Sequence, residues 1–87
     1  MYVVMAYDVN VERVVKVLKI GRRYLTWVQN SVLEGELTKA QFENLKAELI
    51  EIIEPDEDAV RFYIIKRDAC LTKEFLGTSK NEPSQIL

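Results

Sequence analysis

The 87-residue sequence predicts one α+β domain, an antiparallel sheet with two helices in the order strand, helix, strand, strand, helix, strand. Three observations carry that prediction. Tyr2 to Tyr7 is a continuous apolar run rich in β-branched and aromatic residues. Two amphipathic stretches follow, each behind a residue suited to cap a helix, Asn10 and Thr38. Shorter strand-like segments lie between the helices, and another follows the second helix.

The first run reads as a strand buried on both faces, hence central in its sheet. Asp8 stands where it ends. After Asn10, Val11, Val14, Val15 and Leu18 recur at helical spacing and predict the buried stripe of the first helix. Gly21 breaks that pattern, with Lys19, Arg22 and Arg23 in the last turn, where cations complement the helix dipole. Leu25-Thr26-Trp27-Val28 and Ser31-Val32-Leu33 read as two short strands. Gln29-Asn30 supplies the turn, with Glu34-Gly35 as a competing turn or bulge. Thr38 and Gln41 have the spacing of a capping box, and Phe42, Leu45, Leu49, Ile52 and Ile53 form the stripe of the second helix. Pro55 stops it, and Asp56-Glu57-Asp58 reads as a solvated loop. Val60 to Ile65 is the next strand, with Arg61 and Tyr63 alternating against Val60, Phe62 and Ile64. This βαββαβ order is the ferredoxin-like arrangement. Phe75-Leu76 offers a short fifth strand. Residues 78–87 form a polar tail, and its Ile86 and Leu87 have no apolar partner within their own segment.

So small a domain buries a limited core, and small domains often add oligomerisation, disulfides or a structural metal. Cys70 is the only cysteine and there is no histidine, which argues against a disulfide framework and a four-ligand zinc site. Oligomerisation is the remaining route. The longest apolar run is too short to cross a bilayer and lacks the flanks of a signal peptide, so the expected location is the cytoplasm, without membrane contact. The net charge of −2 hides an asymmetry. Residues 1–30 carry five bases against two acids, whereas residues 31–60 carry two bases against nine acids. That distribution can place a basic face on an acidic protein.

Two readings fit Asp8. A carboxylate at the rigid end of a buried strand suits a hard divalent cation. Magnesium keeps several waters and often takes only one or two carboxylates besides substrate phosphate. A two-fold dimer with Asp8 near its axis would supply the second carboxylate. Alternatively, Asp8 merely ends the strand and caps the helix. Arg13, Lys16 and Arg23 fall away from the predicted apolar stripe, with Lys19 and Arg22 beside them, and read either as phosphate contacts or as a solvated face. Gln29-Asn30-Ser31 fits turn chemistry. Tyr24 and Trp27 are candidates for stacking on bases, whereas Tyr2 and Tyr7 suit the sheet. No phosphate-binding glycine loop is present, and the lack of histidine excludes imidazole general-base chemistry.

Tyr7-Asp8-Val9, the hairpin segment from Val28 through Gly35 to Thr38, and Phe75-Leu76-Gly77 together resemble the CRISPR-associated protein two family. The resemblance spans residues 1–77 and implies a ferredoxin-like homodimer. Its fifth strand, near residues 72–77, would be exchanged into the partner's sheet. It implies a subunit of the CRISPR spacer-acquisition complex that binds double-stranded DNA or single-stranded RNA, with magnesium-dependent endonuclease activity. It also implies a partner, the integrase CRISPR-associated protein one. Asp8 matches the family's metal-binding, catalytic aspartate, and Arg13 matches a basic position associated with nucleic-acid contact. Leu33 departs from the pattern where Phe is common, and so does the segment after Ile65. The rival expectations are a purely scaffolding subunit and a small-molecule regulatory module with a pocket at a subunit interface.

Overall fold

In the computed structural model, which describes residues 1–66 and 70–78, the first apolar run becomes the central strand β1 (Tyr2–Asp8). It pairs antiparallel on one side with β3 (Val32–Glu36) and on the other with β4 (Ala59–Ile65). The hairpin strand β2 (Thr26–Gln29) lies outside β3, and β5 (Leu71–Gly77) lies outside β4. The strand order is therefore β2-β3-β1-β4-β5. Helices α1 (Val11–Arg22) and α2 (Lys39–Ile52) complete the predicted βαββαβ order. Neither helix is long and apolar enough to cross a membrane.

Local chemistry sets the helix starts where the sequence puts them. The Asn10 side chain accepts a hydrogen bond from the Glu12 N–H at 2.9 Å. At Thr38 the capping box is complete, with Gln41 N–H donating to Thr38 Oγ1 at 3.1 Å and Thr38 N–H donating to Gln41 Oε1 at 2.9 Å. Asn10 and Thr38 thus satisfy N–H groups that the first turn of a helix leaves orphaned. The hairpin turns at Asn30, whose φ of 40° lies in the left-handed region that Asn tolerates. Gly35 sits inside β3, not at the competing turn.

The core fills the space between the helices and one sheet face. Val3, Met5 and Tyr7 of β1 meet Leu33 of β3 and Val60, Phe62 and Ile64 of β4 beneath Val17, Ile20, Phe42, Leu45 and Leu49. Phe42 stands edge-on to Phe62, centroids 5.0 Å apart. Half of the stripe predicted for α1 holds, since Val14 and Leu18 are partly buried against the core, and the other half is corrected here. Val11 is 81% exposed and Val15 60%, whereas Val17, Ile20 and Gly21 are buried. Gly21 explains the rotation. A Cβ there would stand 3.1 Å from Leu33 Cδ2, so its absence lets the helix lie close to the sheet. Docking then follows Gly21 rather than the outer valines.

The opposite sheet face carries no helix. Alternation along the strands leaves Tyr2, Val4 and Ala6 half-buried, not buried on both faces as the apolar run suggests. Cross-strand rows on this face read Ala6–Arg61–Phe75, Val4–Tyr63–Lys73 and Tyr2–Ile65–Leu71. Strand β5 is longer than the short strand expected. It runs over Leu71–Gly77 and pairs with β4 of its own chain, from Ala59–Gly77 to Ile65–Leu71. The predicted tail at 78–87 lies outside the described residues beyond Thr78.

Candidate nucleic-acid and metal site

Asp8 is exposed at the end of β1, on the uncovered face. Its cross-strand partner is Ala59, which is in turn opposite Gly77. Small residues thus stand opposite Asp8 and its neighbour across the end of the sheet. Tyr7 points the other way, into the core, where burial pushes its phenol pKa up. Its hydroxyl is therefore a poor proton acceptor near neutral pH. Among the described residues no three acidic or cysteine side chains gather at one point. Such an arrangement fits only a hard cation that keeps several waters and takes few carboxylates, with Asp8 as the candidate ligand.

The acidic segment after α2 is more ordered than a solvated loop. Asp58 is fully buried, which corrects the sequence reading. Its Oδ1 accepts from Asn10 N–H at 2.9 Å and from Arg13 Nη2 at 3.2 Å. Its Oδ2 accepts from Arg13 Nε at 2.6 Å and from Glu54 N–H at 2.8 Å. Burial by itself raises a carboxyl pKa. Here the Arg13 guanidinium and the two backbone donors outweigh it and hold Asp58 at about 2. Arg13 also reaches Glu57 Oε1 at 2.9 Å, and the Asp58 and Glu57 bonds raise its pKa further. Gly77 closes the same corner. Its φ is +84°, and a Cβ there would stand 2.0 Å from the Asp58 carbonyl oxygen. That oxygen accepts from Thr78 N–H at 2.9 Å.

The predicted cations of α1 part company. Lys16 is exposed, and among the described residues it forms no salt bridge. Arg23 is exposed and ion-paired with Glu48, which also accepts from the Tyr24 hydroxyl. The Tyr24 bond lowers the Glu48 pKa against a raising effect of burial, and Arg23 adds to the lowering. Arg13, with a side chain 20% exposed, is engaged by Asp58 and Glu57. Lys16, Lys19 and Arg23 share one helix face at spacings of three and four residues. Trp27 is exposed beneath the Arg22 guanidinium, which lies 5.8 Å from the ring centroid. A shallow cavity of about 280 Å³ lies elsewhere, beside Phe42, Ile64 and Thr72. Its acids, Glu43 and Glu74, are already paired with Lys46.

The sequence matches the family described as CRISPR associated protein Cas2 over residues 1–73. The chain belongs to the Cas2 family. A protein of Dictyoglomus turgidum named CRISPR-associated endoribonuclease Cas2 is 53% identical over 87 residues, covering 100% of both chains. A Thermotoga maritima protein of the same name is 54% identical over 86 residues, covering 99% of each. Among solved structures, Streptococcus pyogenes Cas2 superposes with a TM-score of 0.70 at 38% identity, covering 78% of this chain and 89% of that one. The family and the sandwich fold expected from the sequence are thus both found.

Sequence reasoning missed the burial of Asp58 and the positive φ of Gly77. No local pattern marks Asp58, because its cation lies 45 residues away. The alternation of Arg61 against Val60 and Phe62 holds, but the sequence did not show that Arg61 is only 9% exposed beside Phe75, with its Nη2 lacking a hydrogen-bond partner.

Proposed function

We propose that this Cas2-family chain acts as a homodimeric, magnesium-dependent endonuclease and nucleic-acid-binding subunit of the CRISPR spacer-acquisition complex. The observation that carries the reading is the place of Asp8, at the rim of a sheet face that no helix covers and that is apolar except at Arg61 and Lys73. An apolar run suited to burial on both sides has cover on only one. A second copy stacked on Val4, Ala6, Tyr63, Ile65, Leu71 and Phe75 supplies the other. A two-fold axis beside the Asp8 row then brings two carboxylates together.

The Asp8 pair would hold the metal, which when bound polarises a phosphate and lowers the pKa of a water. The chain's own contribution is to fix those carboxylates and to hold the nucleic-acid backbone. Lys16 and Lys19 provide exposed phosphate contacts, joined by Arg23 when phosphate replaces Glu48. With no histidine in the sequence and with Tyr7 buried, neither an imidazole nor the Tyr7 phenol serves as proton acceptor, so turnover is expected to be slow. The relatives' name supports action on RNA, and the family resemblance extends the reading to double-stranded DNA and to the integrase CRISPR-associated protein one.

The test is cleavage of RNA and duplex DNA by parent and Asp8→Asn, with magnesium or with chelator, beside sedimentation. The expected result is loss of magnesium-dependent cleavage in a dimer that remains intact. Retained cleavage in a folded Asp8→Asn protein would place the chemistry elsewhere.

A further inference from the structure

The two chain segments that flank Asp8 are tied to one buried carboxylate. Asn10, two residues after Asp8, donates its N–H to Asp58 Oδ1. Ala59, the residue after Asp58, is the cross-strand partner of Asp8. Asp8, Asn10, Asp58 and Ala59 therefore close a ring of covalent and hydrogen-bonded links. Glu54 N–H fixes Asp58 from the end of α2, and Thr78 N–H fixes its carbonyl from the end of β5. Four donor contacts occupy the two carboxylate oxygens, so Asp58 has little capacity left to act as a metal ligand itself.

Arg13 is the sole cation bonded to this buried carboxylate among the described residues. Its Nε and Nη2 grip Asp58 in a two-point geometry that a lysine cannot reproduce. To bind a phosphate with those groups, Arg13 would have to leave a fully buried charge without its partner. An exposed phosphate contact, made in high dielectric and screened by salt, offers less in return.

We infer that Arg13 is a positioning residue of the Asp8 site and not one of its phosphate contacts: through Asp58 it fixes the backbone on both sides of the metal-binding carboxylate. The inference rests on the metal reading given above. Groups that orient a ligand from behind commonly change metal affinity by about 10–100-fold when removed.

Arg13→Lys and Arg13→Ala separate the alternatives, because Lys keeps the charge a phosphate needs and loses the fork that Asp58 needs. Three quantities are read on folded dimers: binding of Mn²⁺ alone by electron paramagnetic resonance, nucleic-acid affinity against salt concentration, and hydrogen exchange at the Asn10 amide. Both variants are expected to weaken Mn²⁺ binding at least about tenfold, to speed Asn10 exchange, and to leave the salt slope at the parent value. In cleavage, kcat falls while KM for nucleic acid holds. A slope that drops by roughly one unit per lost contact in Arg13→Ala, with Arg13→Lys matching the parent, would overturn the inference. So would unchanged Mn²⁺ affinity in both variants. A parent that binds no Mn²⁺ refutes the metal reading alone. In that case the salt slope and the Asn10 amide decide whether Arg13 holds the backbone or the phosphate.

Discussion

The two ends of α1 carry similar ion pairs with different surroundings. At the N-terminal end Arg13 meets Asp58, whose side chain is fully buried and saturated by backbone donors. At the C-terminal end Arg23 meets Glu48, with side chains 59% and 35% exposed. The first pair joins three segments of the fold and cannot open without stranding a charge. The second lies in solvent, where water and salt compete with it, and it can exchange its partner for a phosphate. Burial of the acceptor, more than the presence of a salt bridge, thus separates an arginine that shapes the site from one available to a ligand.

The largest effect expected from this contrast is on stability. Asp58→Ala leaves the Arg13 fork and two backbone N–H groups without their acceptor, and should cost about 3 kcal/mol, roughly 15 °C in Tm. Glu48→Ala should barely move the melt. Thermal unfolding at one fixed protein concentration compares them, and equal losses would erase the distinction between the two ends.

Gly77→Ala approaches the same buried corner without touching a charge. The new Cβ would meet the Asp58 carbonyl oxygen, and the residue would need a positive φ. A loss of about 2 kcal/mol is expected from strain and displacement of the β5 end. A melt unchanged from the parent would show that this corner yields, and that Asp58 is not held from the β5 side.

The smallest expected effect is a pH dependence. Asp58 titrates at about 2 in the folded chain against an ordinary value of 3.8. Its contribution to stability is therefore complete above the unfolded value and is lost as pH falls from about 4 through about 2. Asp58→Asn should remove that part of the acid decline. Added salt should affect the Arg23–Glu48 end more than the buried pair. Melts across pH 5 to 2 at two ionic strengths read both differences.

Much of the frame was legible in the sequence because its causes are local. The apolar run of β1, the Thr38–Gln41 capping box and the Pro55 stop each act within a few residues. The rotation of α1 was less legible. Val11, Val14, Val15 and Leu18 fit a helical period, but a second stripe through Val17 and Gly21 fits as well. The deciding feature is the missing Cβ of Gly21 against Leu33, which hydropathy does not register. Asp58 looked like one acid among three in a loop, because burial and pairing are set by residues distant in sequence. Asp8 was singled out by its position at a strand end and by the family resemblance. The structure places it exposed at the end of β1.

The central claim is that one site is built from two copies of Asp8. Mixed dimers test it most directly. Parent and Asp8→Asn chains bearing different tags are combined, the hybrid is purified through both tags, and its magnesium-dependent cleavage is measured beside each homodimer. A site shared across the two-fold axis predicts that the hybrid is as inactive as the Asp8→Asn homodimer. A hybrid with half the parent activity would contradict it, since each chain would then carry a complete site of its own.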